Sequence, residues 1–421
     1  MDKAQPGVGN LTKVLFVAST FVFWCSLYVY VPILPTYTQQ LGGSLAMVGL
    51  VVGAYGVTQF VLRVPLGVFS DRLGRRKPFI LFGTLTAAAG AAGFLVAGDP
   101  WGLFLARALT GVAASSWVAF TVLFSSYFPP GKAVRAMSLV TFVSGSSQLV
   151  ATFAGGQIAQ RFGSVSTFWV GLALAGVAAL ASLAVRDEPR RTTAPPSWEQ
   201  VARVMTGSPR QYQSTAAGAV SPRQYQSAVA GAVPLLLIVS FNAVLSQYAA
   251  YVTTYAFTPI YAAGLGASRA DLGLLVTAML ISSTIGQLLA GNLVERWGER
   301  VVVAGGMLIA ATGIAATPFV ATVPLLLGLQ ALNGLGRGLG FPVLMGLSVR
   351  YLPQQQRATA MGVFQATYAL GMFAGPFAGG QIADAFGLDM VFYSTGVVCL
   401  ASAGLALLIP GRRATRARNE D

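Results

Sequence analysis

GVFSDRLGRR at residues 67–76 and GNLVERWGER at residues 291–300 superpose when the chain is shifted by 224 positions. Gly67, Asp71, Arg72, Gly74 and Arg76 then fall on Gly291, Glu295, Arg296, Gly298 and Arg300. The same shift carries FAGGQIA at residues 153–159 onto an identical copy at residues 377–383. It also places Pro35 and Tyr37 on Pro259 and Tyr261. One constant offset shared by separate segments marks a chain built as two copies of one unit.

Composition says what solvent that unit lives in. Of 421 residues, 55% are apolar before 49 glycines are added, and only 10% are charged. A soluble domain carries about 25% charged residues, so lipid must cover this one and an aqueous enzyme is excluded. Apolar runs long enough to cross a bilayer fall at 12–35, 45–69, 78–97, 102–127, 136–160 and 166–185, then at 234–262, 270–294, 301–320, 324–350, 358–384 and 390–409. Each approaches or exceeds the roughly 20 residues needed for a span. The expected fold is therefore an all-α integral membrane protein of twelve transmembrane helices. Residues 1–185 form one six-helix bundle, 186–233 a cytoplasmic linker, and 234–421 a second bundle with a basic tail. An even number of spans per half makes the halves parallel repeats. The first run is too long for a signal-peptide core and ends in PILP, so it reads as a retained span.

The formal net charge is +14. With the amino terminus placed in the cytoplasm, the outer segments hold only Arg161 and Arg269. The inner ones hold Lys3, Lys13, Arg72, Arg75, Arg76 and Lys77, with most of the other basic residues. This asymmetry follows the positive-inside rule, puts both termini in the cytoplasm, and removes any need for a nucleic-acid partner. Within the linker, SPRQYQSTAAGAV at residues 208–220 is followed directly by SPRQYQSAVAGAV at residues 221–233. A short duplication in a tolerant loop is the plain reading, and a partner-binding element the sharper one. Upstream, Ser197 and Gln200 form a capping-box pattern, and Trp198, Val201 and Met205 share a helical face. A short helix on the inner membrane surface is expected there.

Chemistry is constrained by what is missing. There is no His, and the two cysteines, Cys25 and Cys399, lie far apart in apolar runs, where they read as packing residues. No metal site, cofactor, nucleotide-binding loop or embedded acid–base pair is legible. An enzyme is not expected.

On the residues of the loop at 67–76 and its copy, the chain resembles the major facilitator superfamily, in its twelve-span, drug:proton-antiporter-like branch. The resemblance implies two bundles around a central cavity that opens alternately to each side, in a bacterial cytoplasmic membrane, with a monomer as the default. It also implies a gating loop formed by Gly67, Asp71, Arg72, Gly74, Arg75 and Arg76, with Glu295, Arg296 and Arg300 in the degenerate copy. Physically, Gly67 would let a neighbouring helix approach. Asp71, at a helix end, would meet a helix amino terminus or an Arg from a neighbouring helix. LFLARALTGVAAS at residues 103–115 resembles the family pattern with a membrane-embedded Arg and a Gly four residues on, here Arg107 and Gly111. Proton-coupled relatives use that Arg in coupling, although Thr110 stands where Gln is usual. The glycine-rich kink of antiporters is incomplete in the fifth span, at Ala151, Thr152, Gly155 and Gly156. It is complete in the eleventh, at Gly375, Pro376, Gly379 and Gly380, where a bend and close packing are expected.

Three arginines lie inside spans: Arg63, Arg107 and Arg337. Each costs about 2.5–3.5 kcal/mol or more to insert, so each should face the cavity and have a partner. No Asp or Glu lies at comparable depth. Asp71, Glu295 and Asp384 sit near helix ends, and Asp271 begins the eighth span. The arginines point to an anionic or carbonyl-bearing substrate, or else bond backbone carbonyls and amides such as Gln59, Gln287, Gln330 and Asn333. Trp24, Tyr28 and Tyr30 in the first span, and Asn242, Gln247, Tyr248, Tyr251 and Tyr255 in the seventh, complete the cavity candidates beside Asn333. The expected activity is secondary transport of a small organic solute by alternating access. Proton-coupled efflux of an amphipathic compound is the first reading, with protons as a partner. An organic-anion transporter, exchanger or facilitator is the alternative, and a lipid transporter a third. A non-transporting sensor would be expected to carry an appended soluble domain, which 186–233 is too short to supply.

Overall fold

The computed structural model describes residues 9–128, 133–187, 222–350 and 354–410. The linker helix expected at 197–205, the first copy of the tandem repeat and the basic tail lie outside the described residues. The described chain is helical throughout, with no strand, and ten of its helices are long and apolar enough to cross a membrane. Two more, Val323–Val349 and Gln354–Phe386, have the length, at 27 and 33 residues, but carry amides, glycines and charge.

In chain order the first half comprises α1 (Asn10–Tyr28), α2 (Leu34–Gln40), α3 (Leu45–Leu73), α4 (Lys77–Val96), α5 (Pro100–Ser115), α6 (Trp117–Ser126), α7 (Ala133–Phe162) and α8 (Ser164–Ala184). The second comprises α9 (Pro222–Ala250), a π-helical segment (Tyr251–Phe257), α10 (Thr258–Gly264), α11 (Arg269–Trp297), α12 (Glu299–Ala315), α13 (Val323–Val349), α14 (Gln354–Phe386) and α15 (Leu388–Ala406). Thus α1 and α2 together make the first span, α5 and α6 the fourth, and α9 to α10 the seventh.

One expectation needs correction. The first span is not one helix: it opens at Val29–Ile33, because Pro32 and Pro35 supply no N–H to the preceding turn. The helix that carries the seventh span starts earlier, at Pro222, while the apolar span itself runs Leu235–Gly264, close to the expected 234–262. Proline suits a first helical position, where its missing N–H has no partner to lose.

The repeat is legible in the backbone. Among the described residues six glycines have positive φ, and they form three pairs at the same offset: Gly42 with Gly266, Gly74 with Gly298, and Gly163 with Gly387. Each sits where a helix must end sharply, in a conformation that a Cβ would disfavour. Packing repeats as well. In the first half α4 lies against α5 and α8, α3 against α5, and α1 against α7 and α8. In the second, α12 lies against α13 and α15, α11 against α13, and α9 against α14 and α15. The halves meet along two seams, α3 with α14 and α7 with α11. The rest of the surface exposes large apolar side chains such as Trp169, Leu180, Val397 and Leu408. Only lipid can cover so much apolar surface at no cost in free energy.

Glycine pairs set both seams. Gly155 faces Val29 of α1's end within its own half, while Gly156 meets Gly273 of α11, where an added Cβ would stand 2.8 Å from its Cα. Gly379 likewise faces Val252 and Phe257 of the second half, while Gly380 meets Ala46 of α3, again at 2.8 Å. Gly375 lies against the Tyr248 carbonyl, and Gly49 against that of Pro376. The motif expected to bend the eleventh span therefore acts by backbone-to-backbone approach. Helix α14 runs unbroken through Pro376.

Candidate functional site

The centre of the molecule is where α1, α3, α5, the π segment and α13 converge. Gly111 seats α5 on α3, its Cα facing Thr58 and the Tyr55 carbonyl. One turn earlier on α5, Arg107 lies over the Tyr55 ring, 4.3 Å from its centroid and only 2% exposed. A cation held against an aromatic face in a desolvated site gains about 2 kcal/mol. From Tyr55 the rings continue across the interface. Tyr55 stacks on Tyr251 at 6.2 Å, and Tyr251 lies 4.8 Å from Tyr255. Tyr255 is within electrostatic range of both Arg337 and Arg107. Arg337 reaches Gln247 at 3.4 Å and the Met279 sulfur at 3.5 Å. One guanidinium from each half therefore flanks a bridge of tyrosines, with Tyr28 in the same group.

Neither arginine has a carboxylate partner among the described residues. Arg107 reaches only the Thr110 hydroxyl at 3.5 Å, and the Nε of Arg63, Arg107 and Arg337 are all buried without a hydrogen-bond partner. Buried polar groups are nearly always satisfied, so these spare donors mark the interior as a place able to bond a polar ligand. The Trp24 indole N–H is likewise buried without a partner, its ring held between Tyr28 and Trp117.

Other candidates fall elsewhere. Asn242 is fully buried between α9 and α15, donating to the Ser402 carbonyl at 2.9 Å and accepting from its hydroxyl at 2.7 Å. Both ends of its amide are used, so it packs the second half and does not belong to the central group. Asn333 donates to Thr253 and Thr254 at 3.5 and 3.4 Å, while Gln330 donates to Thr258 at 3.2 Å. The two amides clamp the π segment and the start of α10 onto α13. The Tyr30 ring packs between Phe94 and Phe168 in the core of the first half, with its hydroxyl buried and without a hydrogen-bond partner. Arg63 crosses the α3–α14 seam to the Tyr368 hydroxyl at 3.3 Å and the Gln365 carbonyl at 3.5 Å.

The gating loop joins the end of α3 to the start of α4. Asp71 pairs with Arg76, the residue that opens the next helix, α4. Arg76 also donates to Ser70. Asp187 is the residue that caps α4, accepting from the N–H groups of Arg76 and Lys77 at 2.8 and 2.9 Å. Gly67 stands in ordinary contact, 3.7 Å, with Val118, and Gly291 has open space. Neither is a close-approach glycine. Arg72, Arg75, Glu295 and Arg296 are exposed, and Arg300 reaches the Leu407 carbonyl at 3.5 Å. A buried Glu299 pairs with Arg350 at 2.9 Å. Sequence reading passes over Tyr55, Tyr368, Asp187 and Glu299. Tyr55, Gln59 and Arg63 are spaced four apart on α3, a stripe that marks one face of the helix and is the signal that finds Tyr55.

The two seams differ in extent. Between α3 and α14, contact runs from Ala46–Gly380 to Arg63–Gln365. Between α7 and α11 it runs from Gln160–Arg269 to Thr152–Thr277, hydroxyl to hydroxyl at 3.2 Å. Beyond that the helices part: Gly145 has open space, and Phe142 and Leu288 are 67% and 76% exposed. The molecule is sealed on the face bearing Asp384 and parted between α7 and α11 on the other.

The Major Facilitator Superfamily description matches residues 16–258 and 239–421. Over 145 residues the chain is 34% identical to the inner membrane transport protein YajR of Escherichia coli (strain K12), a stretch covering 34% of this chain and 32% of that one. It is 26% identical over 406 residues to the multi-drug resistance efflux pump PmrA of Streptococcus pneumoniae serotype 4, covering 93% of this chain and 94% of the pump. Its fold superposes with a TM-score of 0.75 on a bacterial homolog of the human lysosomal transporter Spinster, at 15% identity and 97% coverage of both chains. With the repeat, the two seams and the family description in agreement, the chain belongs to the Major Facilitator Superfamily of transporters.

Proposed function

We propose that the chain moves a small organic anion across a bacterial cytoplasmic membrane by alternating access, with both termini in the cytoplasm. The observation that carries this reading is the pair of embedded guanidinium groups, Arg107 and Arg337, on opposite sides of a tyrosine bridge. Neither has a carboxylate partner among the described residues. A carboxylate or phosphate on the solute would supply the missing charge, and an aromatic or extended apolar body would lie against Tyr28, Tyr55, Tyr251 and Tyr255. Because the described residues place no acid at the centre, coupling protons would ride on the solute, or the carrier would exchange one anion for another.

The second reading is proton-coupled export of an amphipathic compound. The likeness to the efflux pump PmrA over nearly its whole length favours it. A thermal-shift screen of the purified protein against charge-matched carboxylates, amines and neutral amides separates the two. Stabilisation by carboxylates that disappears in Arg337→Ala supports the anion reading. Stabilisation by lipophilic cations or neutral compounds, unchanged in the variant, makes Arg337 a packing residue and supports export of amphipathic compounds.

A further inference from the structure

The sealed face carries a feature that neither reading of the substrate explains. Helix α3 begins with two N–H groups, of Leu45 and Ala46, that no described residue of their own half satisfies. Asp384, near the end of α14 in the other half, accepts both, at 2.9 and 3.0 Å through its two carboxylate oxygens. The second seam has the same construction. Helix α11 begins at Arg269, and its N–H donates to Gln160 near the end of α7, at 3.0 Å. Asp384 and Gln160 are equivalent under the 224-residue repeat, and so are Leu45 and Arg269.

Each contact joins one half to the other. Both helices already have their own caps, since Ser44 accepts from Met47 and Ser268 from Asp271, so neither Asp384 nor Gln160 is needed to start a helix. The glycine contacts of Gly380 with Ala46 and of Gly156 with Gly273 lie directly beneath and bring the backbones close enough for the side chains to reach. Among the described residues no cation bonds Asp384, whose carboxylate is committed to the two N–H groups. The twin contacts are unequal. One is a carboxylate with two bonds at a positive helix end, and the other a neutral amide with one bond. The seam with the weaker contact is also the one that parts beyond Thr152 and Thr277.

We propose that Asp384 and Gln160 are positioning residues that hold the two halves together across the sealed face, as a strong and a weak latch. Their release is required for the alternate, oppositely open state. Asp384 dominates the equilibrium, and the α7–α11 seam yields first. The inference goes beyond the identity of the solute and does not depend on it.

The test reads the open population directly. Ala262 is fully buried under the sealed face, packed with Ile33 and Ala159 of the other half. Ala262→Cys in the full-length protein in nanodiscs would react with a hydrophilic maleimide only when that face opens. The labelling rate is followed after subtracting the protein that carries only the buried Cys25 and Cys399. Asp384→Ala should raise the rate about tenfold, Asp384→Gln by less, and Gln160→Ala by about threefold, since the first removes hydrogen bonds to a charged acceptor and the last a bond to a neutral one. A role confined to helix stability would lower the melting temperature without changing the rate. An unchanged rate in Asp384→Ala, or a larger effect from Gln160→Ala, overturns the proposal. Should the alanine variant fold poorly, the isosteric Asp384→Asn gives the same decision. No substrate is added, so the outcome does not bear on which solute is carried.

Discussion

Glycines of equal prominence in the sequence do unequal work. Gly49 lies against the Pro376 carbonyl, whereas Gly67 stands in ordinary contact with Val118. Gly49→Ala should therefore destabilise by about 1–3 kcal/mol, the usual range for an overpacked interface. Gly67→Ala should be near neutral, and thermal melting in detergent distinguishes them. At Asn242 the amide is spent on Ser402, so Asn242→Ala should cost about 1–3 kcal/mol in stability while ligand-induced stabilisation persists. The chemical type of these residues is readable in the sequence, but their direction is not. An Asn on a span facing the cavity and an Asn on the opposite face look alike in one sequence, because helical phase is known only relative to neighbours. Arg107, by contrast, is legible from the charge alone, since an embedded guanidinium has few placements of tolerable free energy.

At the scale of elements, the spans are readable to within a few residues because hydropathy runs track bilayer thickness. What escapes are irregularities whose cause is tertiary. The π segment at Tyr251–Phe257 lies just ahead of Pro259, which cannot donate to the preceding turn, and Thr253 and Thr254 receive Asn333 from α13. Prolines announce a break in both the first and seventh spans, but not its form. The gating loop shows the same limit. Its acid and bases stand out in the sequence, yet the cap on α4 comes from Asp187, beyond the sixth span. Asp187→Ala should lower stability by about 0.5–2 kcal/mol, the range for removal of a helix cap, and leave the Asp71–Arg76 pair in place. Melting curves of Asp187→Ala and Asp71→Asn, alone and combined, check this. Additive effects are expected from independent contacts.

For the whole molecule, the repeat is the fact from which most else follows. One offset found in the sequence reappears in the positive-φ glycines, in the order of helix packing and in the two seams. It can be read early because a duplicated architecture preserves its turn and close-contact residues together. The proposed site and latch lie where the symmetry fails. Arg107 has no counterpart at the same offset, where Ala331 stands, and Arg337 corresponds to Ala113. Asp384 corresponds to a neutral Gln160. A centre lined by one embedded cation from each half, neither with a carboxylate partner among the described residues, is the property on which the anion reading depends. It is open to a direct measurement. The affinity of the best-stabilising carboxylate is compared with that of its uncharged amide isostere, by isothermal titration, on the wild type, Arg107→Ala and Arg337→Ala. The account predicts a carboxylate preference in the wild type that falls about tenfold or more in each variant, with the amide little changed. Equal affinities for carboxylate and amide in the wild type, or a preference untouched by both substitutions, would contradict it.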